Sequence, residues 1–290
     1  MNLDKNNDWH KRFELAKTKA IPENILVLAD DAPSDILKIQ AYLSAANILQ
    51  SLGQFEITLE LFNKVQKNLP ESQDSKQHKA YLLTQIEKSK NHGQPRKVFL
   101  FSGHMIDSPQ RKIARFPKEN EAIAAKTIAK QLKALNAGPE DIAICSGACG
   151  GDILFAEAVL ALNLQLKLYI PFDVPEFLET SVNFAGNDWQ DRFYKVKNNP
   201  NTILFTMPEE LGYCPNNMSP YEQANKWMLY SAVCLGMSSM HCILLWDGKG
   251  SVGTGGTLHM YHSIKQWSEQ IYVLNTSTLF EPHDDTKSTP

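Results

Sequence analysis

The segment DIAICSGACGGDILFAEA, Asp141 to Ala158, constrains the fold more than any other stretch of the chain. It opens on a short apolar run, Ile142 to Cys145, with the length and β-branched character of one buried strand. Gly147, Gly150 and Gly151 follow, and Asp152 then opens an apolar-periodic stretch through Leu160 that reads as a helix. Strand, glycine-rich turn and helix N-terminus together make an expected anion site. The first helical N–H groups lack an intrahelical acceptor, and the helix dipole adds partial positive charge there. Glycine lets a phosphate approach backbone that a Cβ would hold away. A nucleotide or similar phosphorylated small molecule is the expected ligand; the plain alternative is a tight turn and nothing more.

The same alternation continues on both sides. Strands are predicted at Lys97–Phe101, Gln165–Ile170, Thr202–Phe205, His241–Trp246 and Ile271–Leu274. Helices are predicted at about Glu119–Leu135, Pro175–Val182, Asp188–Lys197 and Pro220–Leu235, and after a second glycine cluster, GKGSVGTGGTLHMYH, to about Trp267. Strands alternating with helices point to an α/β fold with a doubly wound, mostly parallel Rossmann-like sheet covered on both faces. Such sheets bind ligands at the carboxyl ends of their strands, where strand order reverses. Three loops leave such ends: Ser102-Gly103-His104, Ser146 to Asp152, and Asp247 to Thr257.

Residues 1–92 read as helical instead. Trp9–Ala20 is amphipathic, Pro22 suits the first turn of a helix through Leu28, and Lys76–Lys90 reads as a further helix. Between Ile36 and Pro70, apolar residues recur at helical spacing on both sides of Gly53, which ends one helix as Gln54 begins the next. Tyr42, Ala46, Leu52, Gly53, Phe55, Leu59, Phe62, Val65 and Pro70 stand where a tetratricopeptide repeat places its large, small and turn residues, and the segment resembles one. The resemblance implies a helical domain that docks a protein partner; a helical cap packing only in cis is the alternative. SKNHGQPR, 89–96, reads as the linker. The expected organisation is a tetratricopeptide-like domain over 1–92, a nucleotide-binding domain over 96–276 and a polar tail over 277–290.

Composition limits the classes. With 290 residues, 43% of them hydrophobic and 21% charged, the chain has the profile of a globular protein. A formal charge of −3 and a pI near 6.2 supply no global field for nucleic acid or an acidic membrane. No apolar run reaches the roughly 18–20 residues of a membrane helix. MNLDKNNDWHKRF lacks the apolar core of a secretory signal, and the five cysteines suit reduced thiols, so a cytoplasmic setting is expected. Cys145 and Cys149, or His259 and His262, match no strong metal motif, and neither a metal nor a separate cofactor is expected.

FSGH at 101–104, SGACGGD at 146–152 and GTGGT at 253–257 resemble the Rossmann-like superfamily often called SLOG, over about residues 97–275. This superfamily groups the DNA-processing protein A fold with the Lonely Guy phosphoribohydrolases. Ser146-Gly147 with Gly151-Asp152 resembles the SGxAxGID turn of the former, and Gly255-Gly256-Thr257 the PGGxGTxxE phosphate loop of the latter. The resemblance implies a nucleotide ligand held by Ser102, Gly103, His104, Ser146, Gly147, Gly150, Gly151, Asp152, Gly253, Gly255, Gly256 and Thr257. Met260, however, stands where the phosphoribohydrolases keep their catalytic glutamate, and a thioether cannot move a proton.

Asp247 and Glu157 are the candidate acids if the chain cleaves an N-glycosidic bond, whereas Asp152 also suits a helix N-cap. Arg115, with Arg111, Lys112 and Arg192, is a candidate phosphate partner. Phe172, Trp189, Tyr213 and Trp246 are candidates for stacking on a base. The expected function is a module that binds and senses a nucleotide, NAD-derived compound or phosphorylated nucleoside and is coupled to a protein-docking helical domain. A phosphoribohydrolase-like hydrolase is the alternative, and single-stranded DNA binding the second. A homo-oligomer is left open.

Overall fold

The structure is a computed structural model that describes residues 2–67, 72–90, 96–212, 214, 218–250 and 256–280. Among these the chain opens on helices α1 (Asn2–Lys19), α2 (Pro22–Asp30), α3 (Asp35–Ser51), α4 (Phe55–Gln66) and α5 (Gln73–Lys90). Their boundaries follow local chemistry. Pro22 sits in the first turn of α2, and Ser34 caps α3 by accepting the Leu37 amide. Gly53 takes φ +76°, and the Gln54 amide folds back onto the Leu49 carbonyl at 2.9 Å, which separates α3 from α4.

Strands and helices then alternate as β1 (Val98–Gly103), α6 (Glu121–Ala134), β2 (Ile142–Cys145), α7 (Gly151–Ala161) and β3 (Gln165–Ile170). The series continues with α8 (Val174–Ser181), α9 (Asn187–Lys197), β4 (Thr202–Thr206), α10 (Pro220–Gly236), β5 (Met240–Trp246), α11 (Thr257–Ile264), β6 (Ile271–Asn275) and α12 (Thr276–Leu279). The strands form one six-stranded sheet in the order β4-β3-β2-β1-β5-β6, and every pair is parallel. This α/β architecture is consistent with a Rossmann-like fold.

Alternate residues of a strand face opposite sides of a sheet. Phe99 and Phe101 of β1 pack under α6 and α7, while Val98 and Leu100 pack under α10. Both faces are therefore covered, which is why the strands read as unbroken apolar runs. From β1 the chain steps outward through β2, β3 and β4, then returns through α10 to place β5 beside β1. Strand order reverses between β1 and β5, and their carboxyl ends flank the resulting crevice.

The N-terminal helices continue the core on the α10 face. Trp9, Leu26, Leu28 and Leu49 belong to the same buried cluster as Trp227, Tyr230 and Val233 of α10. Polar pins fix the contact. Trp9 Nε1 donates to the Leu28 carbonyl at 2.9 Å, and the Tyr230 hydroxyl donates to Asp30 Oδ2 at 2.8 Å. Lys226 reaches Asp31 at 3.4 Å. Buried Glu210 accepts from Lys19 Nζ at 2.6 Å and from Asn24 Nδ2 at 2.8 Å. A buried carboxylate is tolerated when paired and hydrogen-bonded in this way.

Some boundaries depart from the sequence reading. β1 runs on through Ser102 and Gly103, expected in the loop after it, because both pair with β5. The last glycine-led helix ends at Ile264, and Trp267 continues only as a turn whose amide donates to the Ile264 carbonyl at 2.8 Å. The stretch expected to begin a polar tail instead forms α12, capped by Asn275 Oδ1 accepting the Ser277 amide at 2.9 Å. Phe280 beyond it stacks on Phe116 at 5.3 Å. Leu279 and Phe280 are apolar enough to bind the core, and this outweighs the polar residues that follow. No helix among the described residues is long and apolar enough to cross a membrane.

Candidate functional site

The loops leaving β1 and β2 meet the N-terminus of α11 around one cavity of about 380 Å³ at the point where strand order reverses. Of the residues expected from sequence, Ser102, Gly103, His104, Ser146, Asp152, Gly256, Thr257 and Arg115 line it. Gly253 and Gly255 lie outside the described residues, as does Tyr213. The rest of the wall comes from Met105 and Ala148 in the loops after β1 and β2, from α8 (Phe177, Thr180, Ser181) and from the first turns of α10 (Tyr221, Ala224, Asn225).

The glycine turn before α7 has a different role from the one expected. Gly150 adopts φ +93°, and a Cβ there would lie 2.6 Å from the Ile106 amide nitrogen and 3.0 Å from the His104 carbonyl oxygen. A Cβ on Gly151 would lie 3.1 Å from Gly103 Cα. These glycines make room for the loop after β1 rather than for a phosphate. The turn amides are engaged as well. Gly151 donates to the His104 carbonyl at 3.0 Å, and Cys149 to the Ser181 carbonyl at 2.9 Å. Gly147, at φ +105°, and Ala148 both donate to Asp152 Oδ2 at 3.3 Å. Acceptors within the protein thus take the amides of Gly147, Ala148, Cys149 and Gly151, which narrows the expectation of open amides at this turn.

Asp152 is corrected too. The N-cap position of α7 is Gly150, and Asp152 lies within the first helical turn, reaching back to the amides before it. Its carboxyl is only 6% exposed. Burial pushes its pKa up to about 7 against the opposing pull of the Ala148, Gly147 and Gly103 amides. A group poised at that value in a cleft marks a functional-site candidate.

Asp247 sits behind His104. The Asp247 amide meets His104 Nε2 at 3.2 Å, its Oδ1 lies 3.3 Å from the same nitrogen, and the Lys249 amide donates to that Oδ1 at 3.0 Å. Burial, aided by the charge on Arg115, holds the His104 pKa down to about 4, so the imidazole is neutral at pH 7. Asp247 thus closes a turn and fixes a neutral imidazole. Glu157, the other expected acid, is held elsewhere. Both of its oxygens accept from Arg192 at 2.7 Å, and Arg192 also pairs with Glu121 at 2.7 Å and lies over the Trp189 ring at 4.1 Å. This cluster joins α6, α7 and α9, so neither Glu157 nor Arg192 belongs to the cavity wall.

Arg115 does belong to it. Residues 107–116 fold into a compact loop around Asp107, whose Oδ2 accepts the amides of Arg115 at 2.8 Å and Phe116 at 2.9 Å. Arg111 pairs with the same carboxylate at 3.0 Å. The loop sets Arg115 on the cavity with its Nε buried and, among the described residues, without a hydrogen-bond acceptor. A guanidinium in a cavity wall suits an anionic guest.

The remaining candidates are accounted for structurally. Trp189 is fully buried, and Trp246 donates from Nε1 to the Lys249 carbonyl at 2.9 Å. Met260 is a core residue. His259 pairs with Glu222 at 3.3 Å, and no group of three or more potential metal ligands occurs among the described residues. Burial pushes the Cys145 and Cys149 thiols up, the latter to about 12.

Sequence reasoning missed the wall formed by α8 and α10. Ser181 Oγ and the Tyr221 hydroxyl lie 3.1 Å apart, and Phe172 meets the Tyr221 ring edge-on at 5.6 Å. The signal was topological. A helix that returns from the edge strand to the centre of the sheet must begin near the switch point, but only the strand order reveals that this helix is α10. No family model matches the chain, and no curated protein matches it.

Proposed function

We propose that this chain binds a phosphorylated nucleoside, of mononucleotide size, in the cavity between β1 and β5, and that its helical N-terminal part reports the bound state to a protein partner. The observation that carries this reading is the guanidinium of Arg115, its Nε unpaired among the described residues, in the wall of a switch-point cavity. The volume of about 380 Å³ lies near the lower end of the roughly 300–1,000 Å³ typical of small-molecule sites, which favours a mononucleotide over a dinucleotide. Phe177 and the Tyr221 ring supply an apolar side for a base, and Thr180, Ser181 and Asn225 supply polar groups to orient it. The resemblance of 97–275 to the SLOG superfamily agrees with such a ligand.

Helix α10 offers a route for coupling. Tyr221, Ala224 and Asn225 near its start line the cavity, and Lys226 and Tyr230 one turn on pair with Asp31 and Asp30 at the end of α2. A ligand that shifts α10 therefore acts directly on the tetratricopeptide-like helices. Leu43 of α3 and Tyr81 and Leu83 of α5 are exposed and available to a protein partner. The hydrolase alternative loses support from Glu157, which is committed to Arg192, and from Met260, which is core.

Isothermal titration against AMP, GMP, CMP, UMP, ADP-ribose and NAD tests the proposal. At least one mononucleotide is expected to bind, and Arg115→Gln is expected to weaken it by about 10–100-fold, a charge-assisted hydrogen bond being worth roughly 1.5–3 kcal/mol. Unchanged affinity in a folded Arg115→Gln protein counts against the site.

A further inference from the structure

The wall of the cavity holds one carboxyl group, and its environment is unlike that of the chain's other buried acids. Glu210 and Asp31 each have a lysine partner, and Asp141 has Lys97 at 3.9 Å. Asp152 has the turn instead. Oδ2 accepts the amides of Gly147 and Ala148, the Gly103 amide also pulls on the carboxyl, and among the described residues no lysine or arginine pairs with it. A charge compensated only by dipoles, in a site nine-tenths removed from water, is costly; a carboxylic acid there is not.

We infer that Asp152 holds the nucleotide as a carboxylic acid: Oδ2 stays on the two turn amides, and Oδ1 carries a hydrogen donated to an acceptor atom of the ligand. This rests on the reading of the cavity proposed above and adds to it the protonation state in which the site works. The ligand class narrows accordingly. It presents an anionic group to Arg115 and, within the same cavity, a lone pair (a ring nitrogen, a carbonyl or a phosphate oxygen) to Asp152. A proton from solvent accompanies binding whenever the free protein holds Asp152 ionised. Burial placing this carboxyl near pH 7 in the empty cavity fits that requirement, since the acid form is then within easy reach.

The titratable and charged groups around Asp152 come from every element packed against the cavity. His104, from β1, is neutral well below pH 7, and the Cys145 and Cys149 thiols, from β2 and the turn, are held high. Asp247 lies beyond His104, and Arg115 and the Asp107 and Arg111 pair face from the loop after β1. On the α10 and α11 side the titratable groups are Glu222 and His259, 3.3 Å apart, and the Tyr221 phenol.

Asparagine separates the two protonation states. Its side-chain oxygen can accept the Gly147 and Ala148 amides while its NH₂ donates to the ligand, so Asp152→Asn copies the acid and cannot copy the carboxylate. The probe is AMP, replaced by the tightest-binding member of the panel where another binds more strongly, titrated between pH 7.5 and 9, above the second phosphate ionisation near pH 6. Wild-type affinity is expected to fall about tenfold per pH unit, with uptake of close to one proton when buffers of different ionisation enthalpy are compared. Asp152→Asn is expected to bind with little pH dependence and, at pH 9, at least tenfold more tightly than wild type. Weaker binding by a folded Asp152→Asn protein, or a pH dependence that persists in it, overturns the inference; the latter assigns the proton to another group. If no member of the panel binds wild type at any pH, the cavity reading itself fails, and this inference with it.

Discussion

Replacing Asp152 by asparagine is expected to stabilise the empty protein at pH 8 by on the order of 3–4 kcal/mol, and the gain is expected to fade towards pH 4. The folded protein raises the Asp152 pKa to about 7, whereas an unfolded aspartate titrates near 3.9. Between those values the native state keeps a proton that the unfolded chain has released. Stability therefore falls as pH rises from about 4 to about 7, by roughly 1.4 kcal/mol per unit, and is flat above. Asparagine has no charge to bury and keeps an oxygen for the Gly147 and Ala148 amides. Urea unfolding of both proteins at pH 4.5, 6 and 8 measures the effect. Parallel curves with a constant offset contradict the assignment of a buried, amide-compensated acid.

Gly150→Ala is expected to cost about 3 kcal/mol or more, one of the largest losses available from a single added methyl group. Two penalties coincide. The residue sits at φ +93°, which L side chains rarely adopt, and the new Cβ would press on the Ile106 nitrogen and the His104 oxygen at 2.6 and 3.0 Å. These are backbone atoms of the loop after β1, and that loop carries His104 and Arg115 into the cavity, so it cannot yield without dismantling the site. Gly53→Ala is the matched control. Its φ is +76°, but nothing lies within 4 Å of the added Cβ, so only the conformational term remains, about 1–2 kcal/mol. Denaturant midpoints compare the two, and equal losses contradict the packing account of the α7 turn.

Local chemistry made much of this fold legible. Ile142–Cys145 and Gln165–Ile170 form strands with the boundaries their apolar runs suggest, and Gly53 separates two helices because its φ suits no other residue as well. Composition marks the loops 102–104, 146–152 and 247–257 as ligand-facing, and residues of the first two and Gly256 and Thr257 of the third line the cavity. What local pattern cannot carry is position across the sheet. Strand order depends on which face each crossover takes, so the contribution of Tyr221 and Asn225 from α10 was invisible. Helical phase separates Glu157 from the cavity: five residues after Asp152, at about 100° per residue, it points some 140° away, towards Arg192. The type and place of Asp152 suit a helix cap. That its carboxyl reaches back to Gly147 and Ala148 depends on how the turn folds against β1, which no spacing encodes.

The account depends on an anion entering the crevice between β1 and β5, and a crystal structure grown with the tightest-binding nucleotide of the panel tests it most directly. The predicted result is phosphate density within hydrogen-bond distance of the Arg115 guanidinium, with the base towards Phe177 and Tyr221. A nucleotide seated elsewhere on the molecule, with Arg115 untouched, contradicts it.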